Sequence, residues 1–394
     1  MRCVGTVVRG IRTPIIKEND DLATIVIDSL MRAKESEGFE FKDKDVVAIT
    51  EAVVGISEGN YVTVDDIVMD LKEKFQNDDI GLVFPILSRN RFSMILKAVA
   101  RAMNHITILL SFPSDEVGNG ILDEDILNNS KYNLSSIISE SEYYDTFGSW
   151  KHPFTGINMV DFYKEIVEKE NCKVDFVFSN NPITILDYTN NVLTCDIHTR
   201  LRTKRVLEDK GANVYGLFEI MNKPVKNSGY NEKYGLLGSN KSTEERLKLF
   251  PRTGDKLVNE IQKRLFNITG KNIEVMVYGD GAFKDPVGKI WELADPQVSP
   301  AYTKGLVGTP NEIKLKYVSD NKYADLKGEE LENAIKREIR EKDVNLVGKM
   351  ITQGTTPRRI TDLIGSLCDL TSGSGDKGTP VVFIQGYFDS LAVD

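Results

Sequence analysis

Two periodicities of hydrophobic and polar positions run along the chain, one typical of buried strands and one typical of amphipathic helices. Short β-branched runs predict strands at residues 3–8, 45–50, 106–110, 174–179, 213–218, 273–278 and 380–385. Apolar positions three or four residues apart predict helices at residues 19–38, 64–75, 89–103, 161–170, 255–266, 329–340 and 361–370. This alternation of strands and helices predicts an α/β or α+β core.

The amino-acid composition of the sequence changes between residues 112 and 234. Clusters of Asn, Ser, Tyr and Asp dominate this stretch, and the regular pattern returns after it. We interpret residues 112–234 as an inserted or separate α+β segment, with the core divided between residues 1–111 and 235–394. Two or three domains of roughly 100–200 residues are expected for a chain of this length.

Charge and composition exclude several classes of protein. The chain has 50 basic and 59 acidic side chains, a formal charge of −9, which disfavours the phosphate neutralisation needed by a nucleic-acid partner. No apolar run approaches the roughly 20 residues of a membrane span, and the apolar stretch 4–8 is too short for a signal peptide. The four cysteines are widely spaced without a CxxC pair, so we expect no zinc site and no disulfide scaffold, but a cytoplasmic protein without a membrane partner.

With only three histidines, carboxylates, backbone amides and metal ions must carry most of any chemistry. Asp280 and Asp285 lie on a loop after a predicted strand, the place where open α/β sheets bind ligands. Paired carboxylates there suit Mg²⁺ or Mn²⁺, which prefer oxygen ligands. A solvated Asp-Gly turn is the alternative interpretation.

Two glycine-rich loops have a composition suited to phosphate binding. Residues 371–378 (TSGSGDKG) join a helix to a strand, and residues 235–243 (GLLGSNKST) add a carboxamide, hydroxyls and an ammonium group. The first loop lacks the spacing of a Walker A motif. A flexible connection or a polar turn explains the composition of either loop equally well.

Two further segments have open interpretations. Residues 11–16 (IRTPII) could lay their backbone against a base or serve only as a Pro-containing connection. Arg89, Arg91, Lys97 and Arg101 fall within one predicted helix. We interpret them as a solvated helix face, with an anionic substrate as the alternative.

Taken in order, these elements resemble the γ-glutamyl ligase family of the deazaflavin coenzyme factor 420. Residues 11–16 are followed by NDDLA at 19–23, and residues 45–59 (DVVAITEAVVGISEG) look like the family's strand and VVSKAEG element. Residues 238–243 look like GVDxSN, and LFP at 249–251 precedes a helix. Asp280 falls at the Asp of SDTFGRPWR, and residues 371–386 look like MGxxxxGxPVVVVRG.

The resemblance implies a mixed-sheet α+β ligase fold with an inserted domain, and a homodimer. It also implies that GTP or ATP, together with Mg²⁺ or Mn²⁺, activates a small-molecule carboxylate as an acyl phosphate. The amine of L-glutamate then attacks this intermediate. Phosphorylation is needed because an amide bond does not form directly from a resonance-stabilised carboxylate, and metal ions neutralise the charge that develops.

Carried over position by position, the resemblance assigns metal contacts to Asp280, Asn240, Gly281 and Ser374, with Asp285 as a spare carboxylate. The positions implied to contact the nucleotide are Thr13, Pro14, Ile15, Ile16, Glu51, Thr243, Gly373, Ser374, Gly375, Asp376, Lys377 and Gly378.

Four positions depart from the family pattern. Asn240 stands where the family has Asp, and Ile56 stands where it has Lys. Gly281 replaces Thr and Ser374 replaces Gln. Each loss removes a charge-assisted contact worth roughly 1 kcal/mol or more. Two alternatives therefore stay open: a non-catalytic ligand-binding or assembly protein on the same scaffold, and a different nucleotide-dependent transferase.

Overall fold

The structure, a computed structural model, describes residues 3–281, 294–356, 358–372 and 375–393. Its strands are β1 (Val7–Ile11), β2 (Val46–Thr50), β3 (Tyr61–Thr63), β4 (Asp79–Val83), β5 (His105–Leu110), β6 (Ile138–Ser139), β7 (Lys173–Phe178), β8 (Asn191–Thr194), β9 (Asn213–Gly216), β10 (Asn240–Thr243), β11 (Arg246–Lys248), β12 (Glu274–Tyr278), β13 (Ala301–Tyr302) and β14 (Val381–Gln385). Its α-helices are α1 (Leu22–Glu37), α2 (Glu51–Ser57), α3 (Val64–Lys74), α4 (Phe92–Ala102), α5 (Glu124–Asn129), α6 (Glu140–Phe147), α7 (Met159–Lys169), α8 (Arg200–Glu208), α9 (Gly254–Thr269), α10 (Leu315–Lys322), α11 (Gly328–Glu341) and α12 (Ile360–Ser372).

A five-stranded mixed sheet has the order β1-β14-β2-β12-β13. The β2–β12 pair is parallel, and the other neighbouring pairs are antiparallel. Alternate residues of the central strands pack against α1 and α9 on one face and against α12 on the other. Burial on both faces explains why these strands are near-continuous apolar runs in the sequence.

Three segments meet at one edge of this sheet. Parallel pairing places Thr50, the last residue of β2, opposite Tyr278, the last residue of β12. The loop that leads into the antiparallel β14 reaches the same edge, where the Thr50 N–H donates to the carbonyl of Pro380 at 3.0 Å. The chain after β2, the chain after β12 and the chain before β14 therefore lie side by side.

A small antiparallel sheet has the order β10-β11-β3. Its strand β3 connects it to the edge described above. Lys248 of β11 pairs with Tyr61 of β3, a strand that follows β2 and α2 closely in sequence. This pairing brings residues 240–248 close to the end of β2. Glu51 and Lys248, for example, are in contact although they are 197 residues apart in sequence.

The third sheet has six strands in the order β6-β7-β5-β4-β8-β9. Its five parallel strands, numbered along the chain from β4, follow the order 3-2-1-4-5 of a doubly wound sheet, and β6 pairs antiparallel at one edge. The order reverses between β4 and β8. Ligands of such sheets bind beyond the carboxyl ends of the strands at this reversal.

The fold confirms the α+β prediction, with two mixed sheets and one antiparallel sheet among the described residues. The boundary predicted at residue 112 falls within the six-stranded sheet, because β4 and β5 precede it and pair with strands that follow it. Strand β4 was not predicted from the sequence. It contains Gly81, where a side chain would overlap Ile185, so close packing explains a glycine in a buried strand.

The polar stretch after residue 303 contains α10 and α11, which pack around a small apolar cluster of Ile313, Val318 and Leu346. The predicted charged helix at 329–340 corresponds to α11. Within the described ranges, none of the helices has both the length and the apolar character needed to cross a membrane.

Candidate functional site

A cavity of about 910 Å³ lies where the three sheets approach one another. The five-stranded sheet contributes the residues after β2 and β12 and the loop before β14. The small sheet contributes β10 and Lys248, and the six-stranded sheet contributes residues 86–91, which connect β4 to α4. Asn119, His152 and Thr155, from the segment between β5 and α7, also line the cavity.

Four carboxylates line this cavity: Glu51, Asp280, Asp295 and Asp369. Glu51 and Asp280 lie near each other because they follow strands that end in register. The N–H of Asp280 donates to Oδ2 of Asp295 at 2.9 Å. The next N–H, that of Gly281, donates to Oδ2 of Asp369 at 2.9 Å. These bonds fix the turn that the chain makes after β12.

Close packing explains the glycines at this turn. A Cβ atom on Gly279 would overlap the carboxylate of Asp295. A Cβ atom on Gly281 would lie 2.8 Å from the Cα of Ser366 in α12, closer than real Cβ contacts. The departure from Thr at residue 281 is therefore a consequence of how α12 packs, and Gly281 can offer a ligand only its backbone.

Arg91 enters this acidic cluster from the β4–α4 loop. Its Nη1 donates to Oδ1 of Asp295 at 2.7 Å, and its Nη2 donates to Oδ2 of Asp280 at 2.8 Å. The Asp295 side chain is 1% exposed and that of Arg91 is 13% exposed. Burial alone would lower the pKa of Arg91, but the carboxylates of Asp295 and Asp280 raise it above its usual value.

The preceding residue of the same loop contacts the other position that was expected to bind metal. Asn90 donates from Nδ2 to Oδ1 of Asn240 at 3.3 Å, and its carbonyl accepts from the N–H of Lys241 at 2.6 Å. Consecutive residues of the β4–α4 loop therefore contact Asn240 and Asp280, respectively.

A second buried ion pair joins Glu51 to Lys248. Nζ of Lys248 lies 2.6 Å from Oε2 of Glu51, and each side chain is 5% exposed. Burial raises the pKa of Glu51, and the ammonium group of Lys248 opposes this shift. The pair links the end of β2 to β11 at the cavity wall.

The cluster holds more negative than positive charge. Among the described residues, two cations form ion pairs with these four carboxylates, Arg91 and Lys248, so two negative charges have no paired cation when all four are ionised. Burial raises the pKa of Asp280 well above its ordinary value, and the neighbouring Asp295 adds to this effect while Arg91 opposes it. Burial also raises the pKa of Asp369. Such a cluster attracts a further cation.

Two buried side chains hold the β4–α4 loop in place. The hydroxyl of Tyr163 in α7 donates to the carbonyl of Ile86 at 2.6 Å and accepts from the N–H of Ser88 at 2.8 Å. Oδ2 of Asp115 accepts from the N–H of Leu87 at 2.7 Å. The loop that carries Asn90 and Arg91 is thus tied to the body of the six-stranded sheet.

The loop predicted to bind phosphate borders the cavity at residues 375 and 378–380. The hydroxyl of Tyr278 lies 2.5 Å from that of Ser372 at the end of α12. The N–H of Thr13 donates to the carbonyl of Gly378 at 3.2 Å. These contacts attach both sides of the loop to the edge where the carboxylates lie.

Of the residues that the resemblance assigns to the site, Glu51, Asn240, Asp280, Gly375 and Gly378 line this cavity. Gly281 lies beside this cavity, and its N–H donates a hydrogen bond to Asp369. Gly373, Ser374 and Asp285 lie outside the described residues.

Other expected residues do not line the cavity. Of the segment 13–16, Ile15 is 86% exposed and Ile16 packs in the core with α1, so neither side chain faces a ligand there. Thr13 and Pro14 lie beside the loop but are also absent from the lining. Three more of the expected nucleotide-binding residues, Thr243, Asp376 and Lys377, are exposed and lie outside the lining.

Three charged lining residues, Lys248, Asp295 and Asp369, were not expected from the sequence, and Arg91 was expected on a solvated helix face. The expectation that Arg91 lies on a solvated helix face is wrong, because α4 begins only at Phe92 and the Arg91 side chain, 13% exposed, points to Asp280 and Asp295. The signal in the sequence was the apolar run 80–84 followed by a polar segment and a helix, which is a strand-loop-helix pattern. Asp295 and Asp369 carry no such local signal.

The donor groups fit a hard divalent cation, since carboxylate and amide oxygens of Asp280, Asp369 and Asn240 line the cavity. Among the residues with described positions, however, no three His, Cys, Asp or Glu side chains form a group that could hold a metal ion. Arg91 already donates to oxygens of two of these carboxylates, Asp280 and Asp295. Water or phosphate oxygens would complete the coordination of a cation here.

Comparison with known proteins identifies the family of the chain. No curated protein matches the chain at a significant level. The family model described as F420-0:Gamma-glutamyl ligase matches residues 10–386, a span that includes the acidic cluster and the loop before β14. The match supports a ligase function in general terms. The chain therefore belongs to the F420-0:Gamma-glutamyl ligase family.

Proposed function

We propose that this protein is a nucleotide- and divalent-metal-dependent amide ligase of the γ-glutamyl type, acting through an acyl phosphate. The observation that carries this proposal is the edge where β2, β12 and the loop before β14 meet. There, four carboxylates with excess negative charge lie beside a glycine-rich loop in a cavity of about 910 Å³. That combination suits a cation bridged to nucleotide phosphates.

The chemistry needs two displacements. A carboxylate oxygen of the acceptor attacks the γ-phosphorus of GTP or ATP, and the nucleoside diphosphate leaves. The amine of L-glutamate then attacks the acyl carbon, and inorganic phosphate leaves with the C–O bonding electrons. A Mg²⁺ or Mn²⁺ ion held at Asp280 would neutralise charge on the phosphoryl group.

Asp369 is the best candidate for the base that accepts the proton lost by the attacking amine. It lines the cavity, and among the described residues it forms no ion pair with a Lys or Arg side chain. Burial raises the pKa of Asp369, which makes its carboxylate a stronger base than an exposed one. Glu51 and Asp280 are less suitable because each is bound to a cationic side chain.

The six-stranded sheet is expected to select the acceptor, because its loops line the opposite part of the cavity. Nδ1 of His152 accepts from the N–H groups of Phe154 and Thr155 at 3.3 and 3.4 Å, which leaves the proton of the neutral ring on Nε2. Nε2 is buried without a partner in the described part of the chain. Arg89, exposed at the same cavity, supplies a guanidinium for an anionic group.

Thermal unfolding with GTP, ATP or no nucleotide, each with Mg²⁺, Mn²⁺ or chelator, tests the proposal. A ligand present at about 100 times its Kd stabilises the native state by ~2.7 kcal/mol, which gives a measurable rise in Tm. We expect a rise that requires both nucleotide and metal, and its loss in Asp280→Asn. Asp320→Asn, which changes an exposed carboxylate of α10, serves as the matched control.

A product assay then follows with the nucleotide that binds, L-glutamate and a panel of carboxylates, with glutamyl amides detected by mass spectrometry. Nucleotide hydrolysis that depends on a carboxylate but not on L-glutamate would instead indicate a different transferase. The family analogy also leads us to propose a homodimer, which light scattering of the eluted protein would test.

A second function is favoured by the contact of Arg91 with Asp280 and Asp295, because a guanidinium already binds the carboxylates expected to hold metal. On this alternative the protein binds a ligand or assembles with a partner without catalysis. Formation of an amide product by the wild type, and its loss in Asp280→Asn, would reject the alternative.

A further inference from the structure

The β4–α4 loop places a fixed positive charge inside the acidic cluster. Arg91 contacts two carboxylates that come from the chain after β12, 189 and 204 residues away in sequence. Both bonds are within the range of charge-assisted hydrogen bonds, and the side chains are largely buried. The guanidinium therefore occupies a position set by the fold rather than by a flexible surface contact.

The same loop also contacts the changed position 240. Asn90 donates to the amide oxygen of Asn240. An Asp at 240 would add another carboxylate to a cluster that already holds excess negative charge. With Asn there, the cluster carries one negative charge less and still accepts a hydrogen bond from the loop. The loop therefore contacts position 240 with the neutral side chain of Asn90 and the acidic cluster with the charged side chain of Arg91.

We propose that Arg91 competes with a divalent ion for Asp280 and Asp295. Its guanidinium neutralises part of the carboxylate charge that a metal ion would otherwise neutralise. The proposal rests on the acidic cluster being a cation site, as the proposed function requires. It does not rest on nucleotide binding or on catalysis.

Arg91 differs in this respect from its neighbour Arg89. Arg89 is exposed at the same cavity and forms no ion pair among the described residues. Removing Arg89 changes the charge of the cavity without freeing a carboxylate. Arg89→Met is therefore a matched control for Arg91→Met, with the same change of residue on the same loop.

The experiment is titration of the nucleotide-free protein with Mn²⁺, followed by electron paramagnetic resonance of free Mn²⁺. We expect weak binding by the wild type and binding at least roughly tenfold tighter in Arg91→Met, because two carboxylates are released. Arg91→Lys should lie between them, since an ammonium group cannot bridge both carboxylates as the planar guanidinium does. The gain should disappear in Arg91→Met with Asp280→Asn.

Unchanged or weaker Mn²⁺ binding in folded Arg91→Met, or an equal gain in Arg89→Met, would overturn the proposal. If Arg91→Met does not fold, the comparison is made in the Asp295→Asn background, where one carboxylate charge is already absent. There, the added Arg91→Met change should still tighten Mn²⁺ binding through Asp280, and no gain would again overturn the proposal. Failure to bind GTP or ATP would count against the ligase proposal while leaving this result interpretable.

Discussion

The guanidinium of Arg91 joins Asp280 to Asp295 through hydrogen bonds of 2.8 and 2.7 Å. Arg91 comes from the loop after β4 of the six-stranded sheet, and both carboxylates come from the chain after β12 of the five-stranded sheet. One side chain thus connects two sheets at the cavity. Its removal should affect stability as well as cation binding.

We expect Arg91→Met to lower the free energy of unfolding by about 3–5 kcal/mol, because it leaves buried carboxylates without their cation. The double variant with Asp295→Asn should lose less than the sum of the two single changes, since the unpaired charge at Asp295 is then also absent. Urea unfolding of the four proteins measures this coupling. Additive losses, within about 0.5 kcal/mol, would show that the two side chains act independently.

The buried pair of Lys248 and Glu51 allows a second test. Lys248→Met should cost about 3–5 kcal/mol at neutral pH, because it leaves Glu51 buried and unpaired. Burial already raises the pKa of Glu51, so without Lys248 this carboxyl should take up a proton as the pH falls, and the loss should shrink in acid.

The matched control is Lys241→Met. Lys241 pairs with Glu244, whose side chain is 81% exposed, so the loss of this solvent-screened pair should cost much less than the loss of the buried pair. Denaturant unfolding of both variants at neutral and mildly acidic pH compares the two pairs. Equal costs at all pH values would contradict the assignment of Glu51 and Lys248 as a buried pair.

Much of the five-stranded sheet could be predicted from the sequence, because strands buried on both faces leave continuous apolar runs. The edge at which Glu51 and Asp280 meet followed from the family resemblance, which reflects the parallel register of β2 and β12. Residues 13–16 lie outside the cavity lining, with Ile16 packed in the core, and their nucleotide contact stays a prediction.

Arg91 and Asp369 could not be predicted because their roles depend on contacts between distant segments. Arg91 looks like a helix-surface residue in the sequence, and only the start of α4 at Phe92 and the packing of three sheets turn it inward. Asp369 lies on α12 among apolar neighbours, and its bond to the N–H of Gly281 spans 88 residues. Local periodicity contains no information about either contact.

Tyr163 provides a test of how the β4–α4 loop is held. Tyr163→Phe removes the partner of the Ile86 carbonyl and of the Ser88 N–H, so we expect a loss of about 1–3 kcal/mol in the free energy of unfolding. We also expect weaker nucleotide-dependent stabilisation, because the loop that carries Arg91 is loosened.

Tyr144→Phe is the control for this change. Its hydroxyl donates to Asp161 at 2.6 Å in an exposed position, so its loss should cost about 1 kcal/mol or less and leave ligand binding unchanged. Unfolding and ligand-induced Tm shifts are measured for both variants. Similar behaviour of the two would mean that Tyr163 does not position the loop.

Asp115 should make stability depend on pH. Burial raises its pKa to about 6, although N–H donors at Leu87, Val117 and Asn119 favour the ionised form. The folded-state pKa then lies above the ordinary Asp value of about 3.9, so the stabilising contribution is complete below that value and is lost as the pH rises through about 6. Relative to Asp115→Asn, the wild type should therefore lose about 1 kcal/mol of unfolding free energy between pH 5 and pH 7. Urea unfolding of both proteins at the two pH values gives this difference directly, because the other titrating groups cancel. A difference that stays constant or changes in the opposite direction would show that the hydrogen bonds outweigh burial and keep Asp115 ionised throughout.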